Sequence, residues 1–234
     1  MVPVVELSTA GQVEPFAAES IVSWYGSNLA TGTATASGLP LPTQIDGTTV
    51  TVFDSVGMVR AAPLFYVSPS QINFEIPTGT ATGTATVTIQ NQNGTIQSAV
   101  IQIGSVSPGI FQVYGLGVVE AWVLPVISGA QQPLYLPYQS VAGSVVPVPI
   151  SLGQSNEQIY LEMYGTGIRD AKNVTVTVGG LSVPVLYYGA APGYAGEDQV
   201  NIGPLPAALA GQGSVKIGLA ADGQQANAVT VTIQ

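Results

Sequence analysis

The fold is decided by Ile21-Val22-Ser23-Trp24-Tyr25-Gly26-Ser27-Asn28-Leu29, an apolar strand that ends on Tyr-Gly and a small polar turn. The same pattern recurs as Ile159-Tyr160-Leu161-Glu162-Met163-Tyr164-Gly165-Thr166-Gly167-Ile168. Alternating apolar and polar residues are typical of a strand with one buried face. The recurrence suggests that the chain holds two copies of one structural unit.

Further matches follow in the same order in both halves of the chain. The matched pairs are Ala62–Val67 with Val183–Tyr188, Gln71-Ile72-Asn73 with Gln199-Val200-Asn201, and Asn93-Gly94 with Asp222-Gly223. Because the order is preserved, composition alone does not explain the matches. We interpret the chain as two diverged copies of one β unit.

Period-2 alternation predicts half-buried strands throughout the chain. The clearest runs are Thr49–Val52, Thr86–Ile89, Val174–Val178 and Val229–Ile233. Frequent Gly and Pro, 28 and 17 residues, separate such runs, and no stretch keeps a helical apolar period for three turns. We therefore expect almost no helix, apart from one turn near residues 206–210.

The strand spacing predicts an all-β chain of two tandem immunoglobulin-like antiparallel β-sandwich domains. We expect the first domain at residues 1–104 and the second at residues 105–234. Residues 118–152 are rich in Pro and Tyr and have no sequence counterpart in the first copy. Gly193–Asp198 is an insertion in the second copy. Gly179-Gly180 predicts a tight hairpin, because glycine takes positive φ readily.

The charge composition excludes two classes of partner. Four basic residues stand against 13 acidic ones, for a net charge of −9, so the chain cannot neutralise a run of nucleic-acid phosphates. The apolar stretches are too short to insert directly into a membrane, and the basic residues are too few to attach to anionic lipid. Only 7% of residues are charged, which permits close packing between copies.

The absence of His and Cys removes most catalytic and metal-binding constellations. Glu197-Asp198 is the one tempting carboxylate pair, as a hydrolase pair or a calcium site. Adjacent residues of an extended segment point to opposite sides, so we prefer a turn-capping role for Asp198 and cross-strand hydrogen bonds for Gln199 and Asn201. We expect no catalytic residue, no metal site and no cofactor.

Three kinds of residue remain as candidates for a functional role. Tyr135, Tyr138 and Tyr194 occur only in the second half and are candidate interface or ligand aromatics. An N-terminal strand with Val2, Val4, Val5 and Leu7 is a candidate assembly strand, which pairs within the first domain or completes the sheet of a neighbouring copy. The sequons at Asn93 and Asn173 are candidate glycosylation sites.

The sequence resembles a family of uncharacterised C-terminal domains, first catalogued in Solibacter, of secreted acidobacterial proteins. The motifs that carry the resemblance are Trp24–Ala30, Leu41-Pro42-Thr43, Tyr66–Pro77, Ser107–Phe111, Tyr164–Arg169 and Asp198–Asn201. The resemblance implies an extracellular or cell-surface location and tandem immunoglobulin-like folds of the IPT/TIG type. It supplies no catalytic residue.

Together these observations favour a non-catalytic extracellular structural protein or module that self-assembles into a cell-surface filament through strand and domain contacts. The alternative is an adhesive or carbohydrate-binding surface module. We expect its partners to be other copies of itself, cell-surface proteins or glycans. Met1 leads directly into Val-Pro-Val-Val, so we expect a mature or excised segment of a secreted protein.

Overall fold

A computed structural model describes residues 6–8, 14–113, 117–152 and 156–234, with only the backbone for 6–8. The chain divides into two compact units. The first comprises Met1–Ser107 with Pro192–Glu197, and the second comprises Pro108–Ala191 with Asp198–Gln234. The boundary falls a few residues after the predicted one at 104, and the inserted loop of the second copy groups with the first unit.

The first unit is built from two β-sheets. Its strands are β1 (Glu6–Ser8), β2 (Phe16–Ala17), β3 (Ile21–Tyr25), β4 (Ala34–Thr35), β5 (Gln44–Ile45), β6 (Thr48–Phe53), β7 (Val59–Ala61), β8 (Leu64–Val67), β9 (Gln71–Glu75), β10 (Gly83–Gln90) and β11 (Ile96–Gly104). One sheet has the order β1-β3-β9-β8-β4. The other has the order β2-β11-β10-β6-β5, and β7 also pairs with β6.

The second unit repeats this arrangement. Its strands are β12 (Gly109–Ile110), β13 (Ala121–Ile127), β14 (Ala130–Gln131), β15 (Tyr138–Val141), β16 (Ser144–Pro147), β17 (Glu157–Thr166), β18 (Val174–Val178), β19 (Leu181–Val183), β20 (Val185–Ala190), β21 (Asp198–Ile202), β22 (Gly213–Ala221), β23 (Gln224–Gln225) and β24 (Val229–Ile233). The first sheet runs β14-β13-β17-β21-β20, with β12 on β17. The second runs β19-β18-β22-β23, with β24 on β22, and β15–β16 form a separate hairpin.

The inward residues of each strand make the core. In the first unit, Trp24, Phe16, Phe74 and Leu64 are fully buried between the sheets. Strand β10 alternates buried Ala85, Val87 and Ile89 with threonines that face outward. Burying one such side chain contributes about 1.5–3 kcal/mol, so the alternation itself selects which face of the strand packs inward.

The strand register confirms the internal repeat residue by residue. Trp24 stands opposite Ile72 in the first unit, and Met163 stands opposite Val200 in the second. A β-bulge interrupts the pairing between Leu64 and Tyr66, and another does so between Val185 and Tyr187. The two bulges fall at matching positions of the predicted repeat, so the copies share irregular as well as regular geometry.

The predicted turns are present. Gly179 and Gly180, both with positive φ, join β18 to β19 as a two-residue hairpin. Asn93-Gly94 lies in the turn from β10 to β11, and Asp222-Gly223 joins β22 to β23. A short 3-10 helix at Ala207–Leu209 is the one turn of helix that the sequence predicts. In the described residues, no helix has the length and apolarity needed to cross a membrane.

Residues 118–152 are only partly an addition to the second unit, which corrects the sequence interpretation. β13 lies beside β17 as β1 lies beside β3. Ile150 pairs in parallel with Ile233, as Phe16 pairs in parallel with Ile103. The sequence comparison missed these counterparts because the match is short: Val4-Val5-Glu6 and Val118-Val119-Glu120 repeat, and the residues that follow them differ. The addition is the excursion at 128–149, which carries the β15–β16 hairpin.

The first unit has its own addition, which the sequence comparison also missed. Its connection from β3 to β6 spans residues 26–47 and contains β4 and β5, whereas the second unit passes from β17 to β18 through residues 167–173. β4 covers the outer edge of β8. Each copy has therefore extended a different connection of the common fold.

The close pairing of β12 with β17 predicts a strong effect of one methyl group. A Cβ added to Gly165 would lie 2.2 Å from the Gly109 carbonyl oxygen, which is backbone. We expect Gly165→Ala to lower the free energy of unfolding of the second unit by about 3 kcal/mol, as overpacking does. Scanning calorimetry measures this as a lower transition temperature.

The repeat supplies the control. Gly26 occupies the equivalent position in the first unit, where an added Cβ would lie 3.1 Å from the Leu29 Cδ2, the end of a flexible side chain. We expect Gly26→Ala to cost less than about 1 kcal/mol. Equal losses of unfolding free energy in Gly165→Ala and Gly26→Ala would show that the close approach of the Gly109 carbonyl is not the cause.

Candidate functional site: an uncharged sheet face

The outward face of the sheet formed by β7, β6, β10 and β11 carries no charged residue. We call it the uncharged face. It consists of Thr49, Thr51, Phe53, Val59, Ala61, Thr84, Thr86, Thr88, Gln90, Ile96, Ser98, Val100 and Gln102. Every one of these side chains is exposed or half-buried. In a chain with a net charge of −9, such a face offers a contact surface without charge repulsion.

One row of the uncharged face is markedly apolar. Val59 pairs with Phe53, Phe53 with Thr86, and Thr86 with Val100, so the four side chains cross the sheet in line. Val59, Phe53 and Val100 are 63%, 49% and 65% exposed. Side chains directly opposite on adjacent strands lie close enough to form one continuous surface. The row is therefore an apolar stripe flanked by threonine, serine and glutamine.

The equivalent row of the second unit has the opposite character. The register of β10 on β11 and of β22 on β24 makes Lys216 the counterpart of Thr86 and Thr230 the counterpart of Val100. Gly179, whose N–H bonds to the Lys216 carbonyl, stands where the first unit has Phe53. The first copy thus has large apolar residues where the second has glycine and threonine, and threonine where the second has lysine.

A buried carboxylate holds the end of the uncharged face in shape. Asp54 Oδ1 accepts hydrogen bonds from the N–H groups of Val56 at 3.2 Å and Met58 at 2.9 Å. Its Oδ2 accepts one from Ala81 N–H at 3.2 Å and pairs with Arg60. Burial raises the pKa of Asp54, but the N–H groups of Met58, Ala81 and Val56 and the charge of Arg60 outweigh burial, so the pKa lies below its ordinary value.

Asp54 therefore fixes the β6–β7 turn that displays apolar side chains to solvent. Val56 and Met58 lie within this turn, and both are exposed. Their backbone N–H groups are satisfied by the carboxylate, so the turn needs no packing of its side chains to keep its shape. Val56 and Met58 thus add two exposed apolar side chains between β6 and β7.

Two of the candidate tyrosines attach the excursion of the second unit to β13. Tyr135 exchanges backbone hydrogen bonds with Val123, at 2.8 and 3.2 Å. The Tyr138 hydroxyl donates to Glu120 Oε1 at 2.8 Å. Burial and the nearby Glu157 carboxylate raise the pKa of Tyr135. Both rings are half-buried. The Tyr138 side chain is tied to the fold through its hydroxyl, whereas the bonds of Tyr135 are made by its backbone.

Tyr194 has a different environment, since its loop groups with the first unit. It is 64% exposed and lies at a groove of about 540 Å³. The groove is lined by Leu39, Pro40, Leu41, Pro63, Glu75, Gly193, Tyr194 and Ala195. All of these residues belong to the first unit. The structure thus separates Tyr194 from Tyr135 and Tyr138, which belong to the second unit.

Asp198, the second member of the Glu197-Asp198 pair, is held by contacts within the second unit. Asp198 is fully buried, accepts hydrogen bonds from the N–H groups of Ile168 at 2.6 Å and Arg169 at 3.1 Å, and pairs with Arg169 Nε at 2.5 Å. Asp198 caps the turn after β17, as the sequence predicts. In the described residues, no group of three or more acidic side chains is arranged to hold a metal ion.

The amides beside this carboxylate bond along their strand. Gln199 Nε2 donates to Asn201 Oδ1 at 3.0 Å, and Gln71 Nε2 donates to Asn73 Oδ1 at 2.8 Å in the first unit. These bonds form because residues two apart share one face of a strand and lie within reach of each other. In the first unit, Gln71 Nε2 also donates across strands to the Tyr25 hydroxyl of β3 at 3.5 Å. The two copies share this pair as part of the fold.

The remaining candidates lie at the periphery. Leu7 stands in β1 opposite Trp24, so its backbone pairs within the first unit. Val2, Val4 and Val5 lie outside the described residues. Asn93 and Asn173 are both exposed, Asn93 in the β10–β11 turn and Asn173 just before β18. Their glycosylation stays a prediction.

Comparisons with known proteins give structural similarities only. No family model and no curated protein matches the chain. SGBP-B of the Bacteroides ovatus mixed-linkage glucan utilization locus, in complex with a mixed-linkage heptasaccharide, has 15% identity and a TM-score of 0.29, and the match covers 98% of this chain. The chain spans about half of that protein, 47%.

Two further solved structures match nearly the whole chain. Murine CEACAM1b has 13% identity and a TM-score of 0.22, and the match covers 94% of this chain and 95% of that one. Domains 5–6 of the S-layer protein SbsC have 14% identity and a TM-score of 0.28, with 99% and 98% covered. The fold assignment therefore rests on the strand pairing described above.

The buried Asp54 carboxylate predicts a loss of stability in acid. A lowered folded-state pKa means that stabilisation is present above the unfolded-state pKa of about 4 and is lost as the pH falls through the folded-state value. We expect Asp54→Asn to lower the free energy of unfolding at pH 7 and to flatten its decline below pH 4. Urea unfolding measures both, with the buried Trp24 as the fluorescent reporter in a Trp122→Phe background.

Asp170→Asn, at an exposed position of the second unit, changes the net charge equally and should leave both quantities of the first unit unchanged. An acid profile of Asp54→Asn that is as steep as that of the parent chain would rule out Asp54 as the source.

Proposed function

We propose that the chain is a non-catalytic structural module of the cell exterior that associates with other copies of itself through the uncharged face. The observation that carries the proposal is the row Val59, Phe53, Thr86 and Val100, exposed on the uncharged face. Burial of these three apolar side chains would favour association by about 1.5–3 kcal/mol for each one fully buried.

Charge selects a second copy as the partner. Two chains of net charge −9 repel each other over most of their surface, so close contact is least costly where neither copy presents a charge. The uncharged face meets this condition without needing an oppositely charged partner. The corresponding sheet of the second unit does not, because Lys216 lies at its centre.

The size and shape of the uncharged face suit sheet-on-sheet packing. Strands of three, six, eight and nine residues, about 4.8 Å apart and about 3.3 Å per residue, span on the order of 400 Å² in projection. The accessible area is larger because the side chains stand out from the sheet. A pair of copies would bury about 1,200 Å² in total, near the lower limit of specific interfaces. Outward threonine and valine resemble the residues that face each other inside a sandwich.

One such contact relates two copies by a two-fold axis and forms a closed pair. Growth into the predicted filament requires a second, different contact. The N-terminal strand with Val2, Val4 and Val5 is the sequence-based candidate for it. The filament, the extracellular location and the resemblance to the Solibacter-type domains stay predictions that fit a self-associating module.

Moving one lysine tests the proposal. Thr86→Lys places in the first unit the residue that the second unit carries at the same register position. A lysine buried without a partner costs on the order of 3 kcal/mol, a factor of about 100 in the dissociation constant. We expect sedimentation velocity to show concentration-dependent association of the natural chain and its loss in Thr86→Lys.

The double variant Thr86→Lys with Lys216→Thr keeps the net charge at −9 and controls for overall charge. We expect it to remain dissociated like Thr86→Lys. Lys216→Thr alone should leave the first-unit contact intact. Recovery of association in the double variant, or a natural chain that stays monomeric at millimolar concentration, would overturn the proposal.

A further inference from the structure

The groove beside Tyr194 is formed largely by residues that only one copy of the repeat possesses. Leu39 and Pro40 come from the connection at residues 26–47, which is much shorter in the second unit. Tyr194 comes from the loop at 193–197, which has no counterpart in the first copy. Glu75 corresponds to Gly203, because the N–H groups of these two residues bond to Pro63 and Pro184, respectively. The groove is therefore an addition to the common sandwich.

A glycine, Gly196, lets the inserted loop at 193–197 pack closely against the first unit. A Cβ added to Gly196 would lie 2.6 Å from Ile21 Cγ1 and 3.5 Å from Glu75 Oε2, and its φ of +67° also disfavours a side chain. The backbone at Gly196 therefore approaches β3 and β9 more closely than a residue with a side chain could. This close approach holds Tyr194 next to Pro40 and Pro63.

The lining combines rigid apolar surfaces with one hydrogen-bond acceptor. The Tyr194 ring and the two proline rings present flat or fixed apolar surfaces that lose little conformational entropy on binding. Glu75 is 8% exposed, and its carboxylate has about four acceptor positions, so it can receive hydroxyl hydrogen bonds in addition to its contacts within the protein. Few convergent polar groups in an apolar groove are typical of small-ligand sites.

The charge of the lining narrows the class of ligand. Among the described residues that line the groove, Glu75 is the one charged residue and none is basic, so a sulfated, phosphorylated or uronic-acid ligand would be repelled. A pyranose ring has an apolar C–H face that fits an aromatic ring and hydroxyl groups that donate to a carboxylate. We propose that the groove binds one end or one short stretch of a neutral saccharide, with Tyr194 stacking on the sugar and Glu75 accepting its hydroxyl hydrogen bonds.

Binding to soluble polysaccharides tests this proposal. The probes are laminarin, xylan and mannan as neutral chains, polygalacturonate as the anionic control, and a lysine oligomer as the cationic alternative. Titration calorimetry with the natural chain should detect at least one neutral polysaccharide and neither of the charged probes. Tyr194→Ala should weaken that binding at least tenfold, and Tyr194→Phe should stay within about threefold of the natural chain, because it keeps the ring.

Two further variants test whether a loss of saccharide binding arises in the groove itself. Tyr25→Ala removes an exposed ring of β3 outside the groove and should leave binding unchanged. Glu75→Gln keeps the shape but weakens the acceptor, so it should weaken binding less than Tyr194→Ala does. Circular dichroism checks that each variant is folded.

Absence of binding to all three neutral polysaccharides would overturn the proposal. Equal losses of saccharide affinity in Tyr25→Ala and Tyr194→Ala would also overturn it. So would binding of the lysine oligomer to the natural chain, if Tyr194→Ala abolished that binding. None of these outcomes depends on self-association, since Thr86 is not in the groove.

Discussion

The period-2 geometry of the β-strand forces every residue of these sheets to face either the core or the surface. Inward positions are constrained, because Val87, Ile89 and their neighbours must fill the space between two sheets at close packing. Outward positions carry no such constraint. Outward residues therefore indicate the function of the surface, once the outward residues that the fold itself requires have been set aside.

The internal repeat makes that separation possible within one molecule. Features that both copies share, such as the bulges after Leu64 and Val185 and the Gln-x-Asn pairs, serve the sandwich. Features that differ at equivalent positions are free of that requirement. Phe53 against Gly179 and Thr86 against Lys216 show that two copies of one sheet have acquired opposite surfaces, one suited to contact and one to water.

Sequence reasoning predicts most of the fold. The alternation, the glycine turns and the ordered matches are local signals, and they predict the all-β class, the repeat and the closing hairpins. Edge strands escaped it, because the match between the segments of β1 and β13 is only three residues long, Val-Val-Glu at 4–6 and at 118–120.

The candidate surfaces were harder to predict, because they depend on which residues become neighbours across strands. Alternation alone would have shown that Phe53 and Val100 point outward. Their alignment through Thr86 requires the register of three strands, which no single stretch of sequence specifies. Tyr194 was a candidate from its uniqueness, but the grouping of its loop with the first unit followed only from the tertiary contacts.

The salt dependence of self-association tests the central claim most directly. If copies meet through an uncharged apolar face, added NaCl screens the repulsion between chains of net charge −9 and leaves the contact itself intact. Sedimentation equilibrium should then show a dissociation constant that falls between about 0.01 and 0.5 M NaCl. A dissociation constant that rises with salt would mean that charged groups hold the copies together and would contradict the account.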